Sequence, residues 1–275
     1  GIETVYVDAH DNAQWAQALA TPADVVFFET PSNPMQDIVD VAEVSRLAHA
    51  AGAVVIVDNV FATPSLQRPL ELGADVVVYS ATKHIDGQGR VMGGAVLGKR
   101  DYITGPLQTF IRNTGPTMSP FNAWTLLKGL ETMDLRVGRQ SDTALQIAQW
   151  LEARPEITQV RYPYLESHPQ YELAKAQQSA GGTVVTFTLD GPQDPLGGKL
   201  RSFAFLDALR VIDISNNLGD AKSLVTHPAT TTHMKTGYDG RQRVGISETT
   251  IRFSVGLEHP QDLIDDLLRG LAAGY

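Results

Sequence analysis

Four short runs of apolar, largely β-branched residues, at 4–7, 24–28, 53–57 and 75–79, constrain the fold of this chain more than any other feature. They are nearly continuous in hydrophobicity, the pattern of parallel strands covered on both faces. Helical patterns stand between them. Asp40 followed by Glu43 forms a capping-box-like start, Val41, Val44, Leu47, Ala48 and Ala51 share one face, and Gly52 stands at the stop. A second helix is expected over 65–72, ended by Gly73. Strand and helix in alternation predict an α/β fold with a mostly parallel sheet and crossover helices. From Pro120 a long helix, 122–130 and onward to 150, leads out of that sheet. Beyond it, strands are expected at 159–162, 183–189 and 251–255, and helices at 201–210 and 260–272, a smaller α+β unit. The expected division is a large domain over 1–130 and a linker helix with a small domain over 131–275. Strand-like alternation is under way by residue 4 with no initiating Met, which reads as a chain that starts partway through a domain.

Ligands of open α/β sheets bind beyond the C-terminal ends of the strands. The second run leads into E-T-P-S-N-P and presents Asn33. The third ends in Asp58. The fourth ends in Y-S-A-T-K-H and presents Ser80, Thr82 and Lys83. Asn33, Asp58 and Lys83 recur at intervals of 25 residues, one strand-helix-turn unit each. An amide, a carboxylate and an amine converge at one sheet edge. Each alone has an ordinary explanation: Asp and Asn favour turns, and a single Lys is most often solvated. Together they suit pyridoxal phosphate (PLP). A lysine condenses with its aldehyde as a Schiff base, a carboxylate keeps the pyridine nitrogen protonated, and hydroxyls two residues apart hold part of the phosphate.

Composition removes several alternatives. With 22 basic and 31 acidic residues the formal charge is −9, and no basic run meets nucleic acid or an anionic membrane. No apolar run reaches the roughly 18–20 residues of a transmembrane helix. There is no cysteine, which excludes disulfides and thiolate chemistry and makes a reducing cytoplasm the expected setting. G-Q-G-R-V-M-G at 87–93 precedes a strand and lacks dinucleotide-fingerprint spacing, and neither a P-loop nor a G-x-S-x-G elbow occurs. His227 and His233 have no companion at metal-ligand spacing and read as packing or hydrogen-bonding residues.

E-T-P-S-N-P, V-D-N-V-F-A-T-P, Y-S-A-T-K-H and S-L-V-T-H-P-A-T-T-T-H, in that order, resemble the Cys/Met-metabolism group of PLP enzymes, of aspartate-aminotransferase-like fold. The resemblance implies a PLP-dependent transferase in which Lys83 is the Schiff-base lysine and Asp58 the partner of the pyridinium nitrogen. It places Asn33 near the phenolic oxygen and Ser80 and Thr82 on the phosphate. It makes Arg252 the grip on the substrate α-carboxylate, with Asn217 near that carboxylate. Without it, Arg252 reads as a surface ion-pair residue on an edge strand. The stretches K-H-I-D-G-Q-G-R and N-N-L-G-D-A-K-S-L are most similar to the homoserine-ester sulfhydrylases of the group. They imply γ-replacement on O-succinyl-L-homoserine with sulfide, giving L-homocysteine and succinate. The alternatives are the O-acetyl ester as substrate, cysteine as acceptor, or a catalytically incomplete fragment. Asn216 stands where members acting on cysteine or cystathionine tend to carry glutamate. The resemblance also implies a dimer of dimers, and places outside this chain the N-terminal third that supplies a phosphate loop and residues lent across the dimer interface.

Overall fold

A computed structural model describes residues 1–192 and 194–273. Three of the apolar runs form β1 (Val25–Glu29), β2 (Val54–Asp58) and β3 (Val76–Ser80), which lie parallel in that order. A fourth strand, β4 (Gly94–Gly98), closes the sheet antiparallel to β3. The helix Val41–Ala50 makes the crossover from β1 to β2. Its N-terminus is held as the capping pattern predicts, with the Asp40 carboxylate accepting the Glu43 N–H at 3.0 Å. Val41, Val44 and Ala48 of this helix, with Trp15 of the helix Asn12–Ala18, pack on Val26, Phe28, Val55 and Val57.

Three expectations are corrected. Residues 4–7 form no strand; they make no ladder, and Val7 only packs against the edge of the core. The helix expected over 65–72 is broken into Thr63–Leu66 and a 3₁₀ turn Pro69–Leu72. Pro69 has no N–H to continue a helix, and Gln67 is extended, its amide donating to the Asn59 side chain at 2.8 Å and the Thr30 carbonyl at 3.3 Å. Finally, β1 and β2 are covered on one face only. Val25, Phe27 and Val54 stand 53%, 60% and 40% exposed, because both helices pack on the opposite face.

The long helix runs from Pro120 to Glu152, capped by Ser119, whose hydroxyl accepts the Asn122 N–H. Its first half puts Leu126, Met133 and Val137 into the core of the parallel sheet. Its second half puts Ala144, Ile147, Ala148 and Leu151 into a second core. That core lies on a sheet of order β5-β6-β9-β8-β7, formed by β5 (Ile157–Arg161), β6 (Val184–Leu189), β7 (Asp213–Ile214), β8 (Leu224–Thr226) and β9 (Thr250–Ser254). All its pairings are antiparallel except β7 with β8. The helices Pro195–Asp207 and Pro260–Ala273 complete the layer. The first of these starts six residues before its expected place because Asp194 caps it, accepting the Gly197 N–H, and Pro195 takes the first turn.

The long helix also clamps the turn that carries Lys83. A Cβ on Gly129 would lie 2.1 Å from the Ile85 carbonyl oxygen, so only glycine admits this approach. Arg136, one face along, donates to the His84 carbonyl at 3.0 Å and the Gly129 carbonyl at 2.8 Å. Gly129→Ala is therefore expected to lower stability by about 2–3 kcal/mol, overpacking outweighing the gain in helix propensity. Gly138→Ala, with nothing within 4 Å of its Cβ, is expected to raise stability by about 1 kcal/mol. Urea unfolding of both variants checks the contrast; a Gly129→Ala midpoint at or above wild type would show that the turn yields.

Candidate active site

Asp58 and Glu29 are register partners at the C-terminal ends of β2 and β1, and Lys83 follows the end of β3. The parallel ladder itself sets Asp58 at its strand end beside Glu29 and β3, from whose end the chain runs on to Lys83. After β3 the chain turns tightly: the Lys83 N–H donates to the Ser80 carbonyl at 3.2 Å, and the Gly87 N–H to the Lys83 carbonyl at 2.8 Å. Asp86, buried in the same turn, accepts the Arg90 N–H and guanidinium. This holds the lysine backbone while its side chain crosses to the other sheet.

There the Lys83 ammonium donates to the Asn217 Oδ1 at 2.5 Å. The Asn217 carbonyl in turn accepts from Arg252 Nη2 at 3.2 Å, and the Asn216 carbonyl from the same nitrogen at 2.8 Å. Arg252 Nη1 donates to Asn33 Oδ1 at 2.9 Å. One connected set therefore joins Lys83, Asn217, Arg252 and Asn33. Arg252 is not on an edge: β9 lies between β6 and β8, and the side chain is 1% exposed. Its Nε is buried without a hydrogen-bond acceptor among the described residues. An orphaned N–H of this kind costs about 1–3 kcal/mol, and a bound carboxylate would relieve it.

Burial sets the protonation of the cluster. The Lys83 amine is pushed below the ordinary lysine range, by desolvation first and then by the Arg252 charge. Burial lowers Arg252 to about 10, against the pull of Glu29, so it stays charged at neutral pH. Burial raises Asp58, while the Val60 N–H, donating to Oδ1 at 3.0 Å, opposes the shift. Among the described residues no cation offsets this and no hydrogen bond reaches the other oxygen. His84, next to Lys83, is held neutral by burial and bonds the Thr183 hydroxyl at 2.7 Å.

These groups fit PLP. The under-partnered Asp58 carboxylate needs a buried N–H donor, which a protonated ring nitrogen is, and Lys83 is an amine with a lowered proton affinity. Ser80 ends β3 opposite Gly94, and the Thr82 hydroxyl accepts the Gly93 N–H at 3.1 Å, so both residues stand at the β3–β4 mouth. Asn33 turns its carboxamide oxygen toward Arg252. Asn217 reaches the lysine with its side chain and the arginine with its carbonyl. A cleft of 360 Å³, lined in part by Gln88, Ser215, Asn217 and Lys222, opens beside it. His227 packs as the sequence suggests, its Nε2 bonded to the Glu248 carbonyl at 2.8 Å. Sequence reasoning missed Glu29, largely buried beside Asp58, and the nearness of His233 to Arg252 and the Asn33 backbone. Glu29 stands in the quoted E-T-P-S-N-P, where an acid closing a strand was the available signal.

The profile of the family described as Cys/Met metabolism PLP-dependent enzyme matches residues 1–272. The chain is 61% identical over 272 residues to O-succinylhomoserine sulfhydrylase of Mycobacterium tuberculosis, covering 99% of this chain and 66% of that protein. It is 49% identical over 273 residues to the Pseudomonas aeruginosa protein of the same name, with the same coverage. The chain thus spans just under two thirds of the length of these curated relatives. Among solved structures, cystathione gamma lyase (CalE6) from Micromonospora echinospora superposes with a TM-score of 0.92 at 42% identity, over 98% of this chain and 69% of that one. Cystathionine gamma synthase from Xanthomonas oryzae pv. oryzae, in complex with aminoacrylate and cysteine, also gives 0.92, at 38% identity over 97% and 67%. With the strand-end lysine, the under-partnered aspartate and the buried arginine in place, the profile and these likenesses establish that the chain belongs to the Cys/Met metabolism PLP-dependent enzymes.

Proposed function

We propose that this chain carries the catalytic lysine, cofactor carboxylate and substrate arginine of a γ-replacement enzyme that exchanges the succinyl group of O-succinyl-L-homoserine for sulfide, releasing L-homocysteine and succinate. The observation that carries the reading is the link between Lys83 and Arg252 through Asn217: the base for a Cα proton and the grip for the attached carboxylate are held by one residue. The M. tuberculosis and P. aeruginosa relatives, both named O-succinylhomoserine sulfhydrylase, support the choice of substrate.

Lys83, Asp58, Asn33, Ser80 and Thr82 would hold PLP. When bound, it supplies the electron sink that accepts charge left at Cα. Arg252 takes the α-carboxylate on its guanidinium fork and satisfies the orphaned Nε. Lys83, its proton affinity lowered by burial, takes the Cα proton at Nζ and returns it, with Asn217 orienting the amine. Asp58 balances the proton on the ring nitrogen. Asn216 offers a neutral amide where a second ammonium, as on cysteine, would need a carboxylate, which favours sulfide as acceptor. No helix among the described residues is long and apolar enough to cross a membrane, and a cytoplasmic setting belongs to this reading. Self-association as a dimer of dimers belongs to the same reading. Phe121, Trp124 and Leu127, exposed on the first half of the long helix, support it.

An assay matrix of succinyl or acetyl ester against sulfide or cysteine tests the proposal. Homocysteine from the succinyl ester and sulfide should form fastest. Cystathionine formation exceeding it, or a preference for the acetyl ester, would overturn the substrate assignment.

A further inference from the structure

The reaction above makes no use of Glu29, yet this carboxylate stands inside the site. It is the register partner of Asp58, and its Oε2 accepts the Asn33 N–H at 3.0 Å. Burial raises its pKa to about 7; the Asn33 N–H and Arg252 oppose that shift, and Asp58 adds to it. His233 faces the same corner, against Arg252 and the Asn33 backbone, and the Arg252 charge also acts on Lys83. No other residue in the turn accepts the Asn33 N–H among the described residues.

The turn that follows Glu29 is tied to the second sheet rather than left on the surface. The Thr186 hydroxyl donates to the Pro34 carbonyl at 2.6 Å, and the Gln36 side chain donates to the Val184 carbonyl at 3.1 Å. Thr186 is itself the register partner of Arg252 across β6 and β9. The turn is therefore pinned at two points on the sheet that carries Arg252. At its start it is held by Glu29, on the sheet that carries Asp58 and leads into Lys83. Asn33 lies between these anchors with its carboxamide on Arg252.

We propose that Glu29 is a positioning residue of this site: by holding the Asn33 N–H it sets the Asn33 side chain against Arg252, and through Arg252 it sets the grip on the substrate α-carboxylate. The inference rests on the reading of Arg252 as that grip. Glu29 touches neither the reacting atoms nor, through its hydrogen bond, the arginine itself. Its effect is on where the guanidinium stands.

The test compares equilibrium binding of glycine and of methylamine to the PLP-loaded protein, followed by the visible spectrum. The two ligands share the amine and differ by the carboxylate, so the ratio of their affinities reads the carboxylate grip alone. Wild type should prefer glycine. Glu29→Ala, which removes the acceptor, should lower that ratio by about tenfold, with PLP loading unchanged. Glu29→Gln, which keeps an acceptor without the charge, should stay within about threefold of wild type. Asn33→Ala, read on PLP-saturated protein because Asn33 also lies among the cofactor residues, should lower the ratio at least as far as Glu29→Ala, and the double variant should be no worse than Asn33→Ala, as for groups acting in series. If Glu29→Ala does not fold, Glu29→Asp, one methylene short of the Asn33 N–H, replaces it with the same expected loss. An unchanged ratio in the variant lacking the acceptor overturns the proposal, as does an equal loss in Glu29→Gln. Arg252→Ala is the separate control: if it leaves the ratio intact, the reading of Arg252 itself fails, whatever Glu29 does.

Discussion

Replacing Lys83 by Ala is expected to abolish turnover, with a fall in kcat of about 10⁴-fold or more, because in the proposed reaction one side chain serves both as the covalent anchor and as the proton carrier. The structure makes this loss separable from damage to the fold. The lysine turn is fixed by backbone bonds from Lys83 to Ser80 and from Gly87 to Lys83, by the buried Asp86, and by Arg136 on the His84 carbonyl. None of these uses the Lys83 ammonium, which donates to Asn217. The alanine variant should therefore unfold at a urea midpoint close to wild type while losing activity. Comparable turnover in the variant would mean that another amine performs the proton transfer.

Arg252→Lys is expected to lower kcat/KM for the amino-acid ester by about a hundredfold, mainly through KM. Lysine keeps the charge but not the fork. The guanidinium bonds Asn33, Asn216 and Asn217 at once and still has an unused buried Nε, whereas an ammonium in the same cavity cannot span these acceptors and a carboxylate together. It would also meet the burial that already lowers the arginine to about 10, and a lysine in that place would shed its charge more readily. Kinetics with the succinyl ester, alongside a urea midpoint, check the prediction. A fall in kcat with KM unchanged would place Arg252 in the chemical step rather than in substrate binding.

Much of this site is visible in the sequence because parallel strands deliver residues to a common edge at the period of one strand-helix unit. Asp58 and Lys83 follow from that period, and the ladder from Val25 to Asp58 confirms why it works. Arg252 does not follow from it. Its strand is short, and only the pairing order puts it at the centre of the second sheet, 219 residues from the Asn33 it bonds. Asn217 was placed near the carboxylate by resemblance, and its contact with Lys83 depends on a loop crossing between sheets that no local pattern encodes. The broken helix at Gln67 shows the same limit on a smaller scale. A buried network around Asn59 outweighed a helical pattern that Pro69 had already weakened. The exposed faces of Val25 and Phe27 contradict the two-sided burial read from their hydrophobicity, since covering a strand depends on the layers beside it and not on the strand alone.

Whether Asp58, Lys83 and their neighbours form a PLP site is tested by the visible absorption spectrum of the protein titrated with PLP, recorded beside Lys83→Ala. A saturable visible band that persists through gel filtration is expected in wild type and is expected to be absent from the variant. A band of equal strength in Lys83→Ala, or none in either protein, would contradict that assignment of the site.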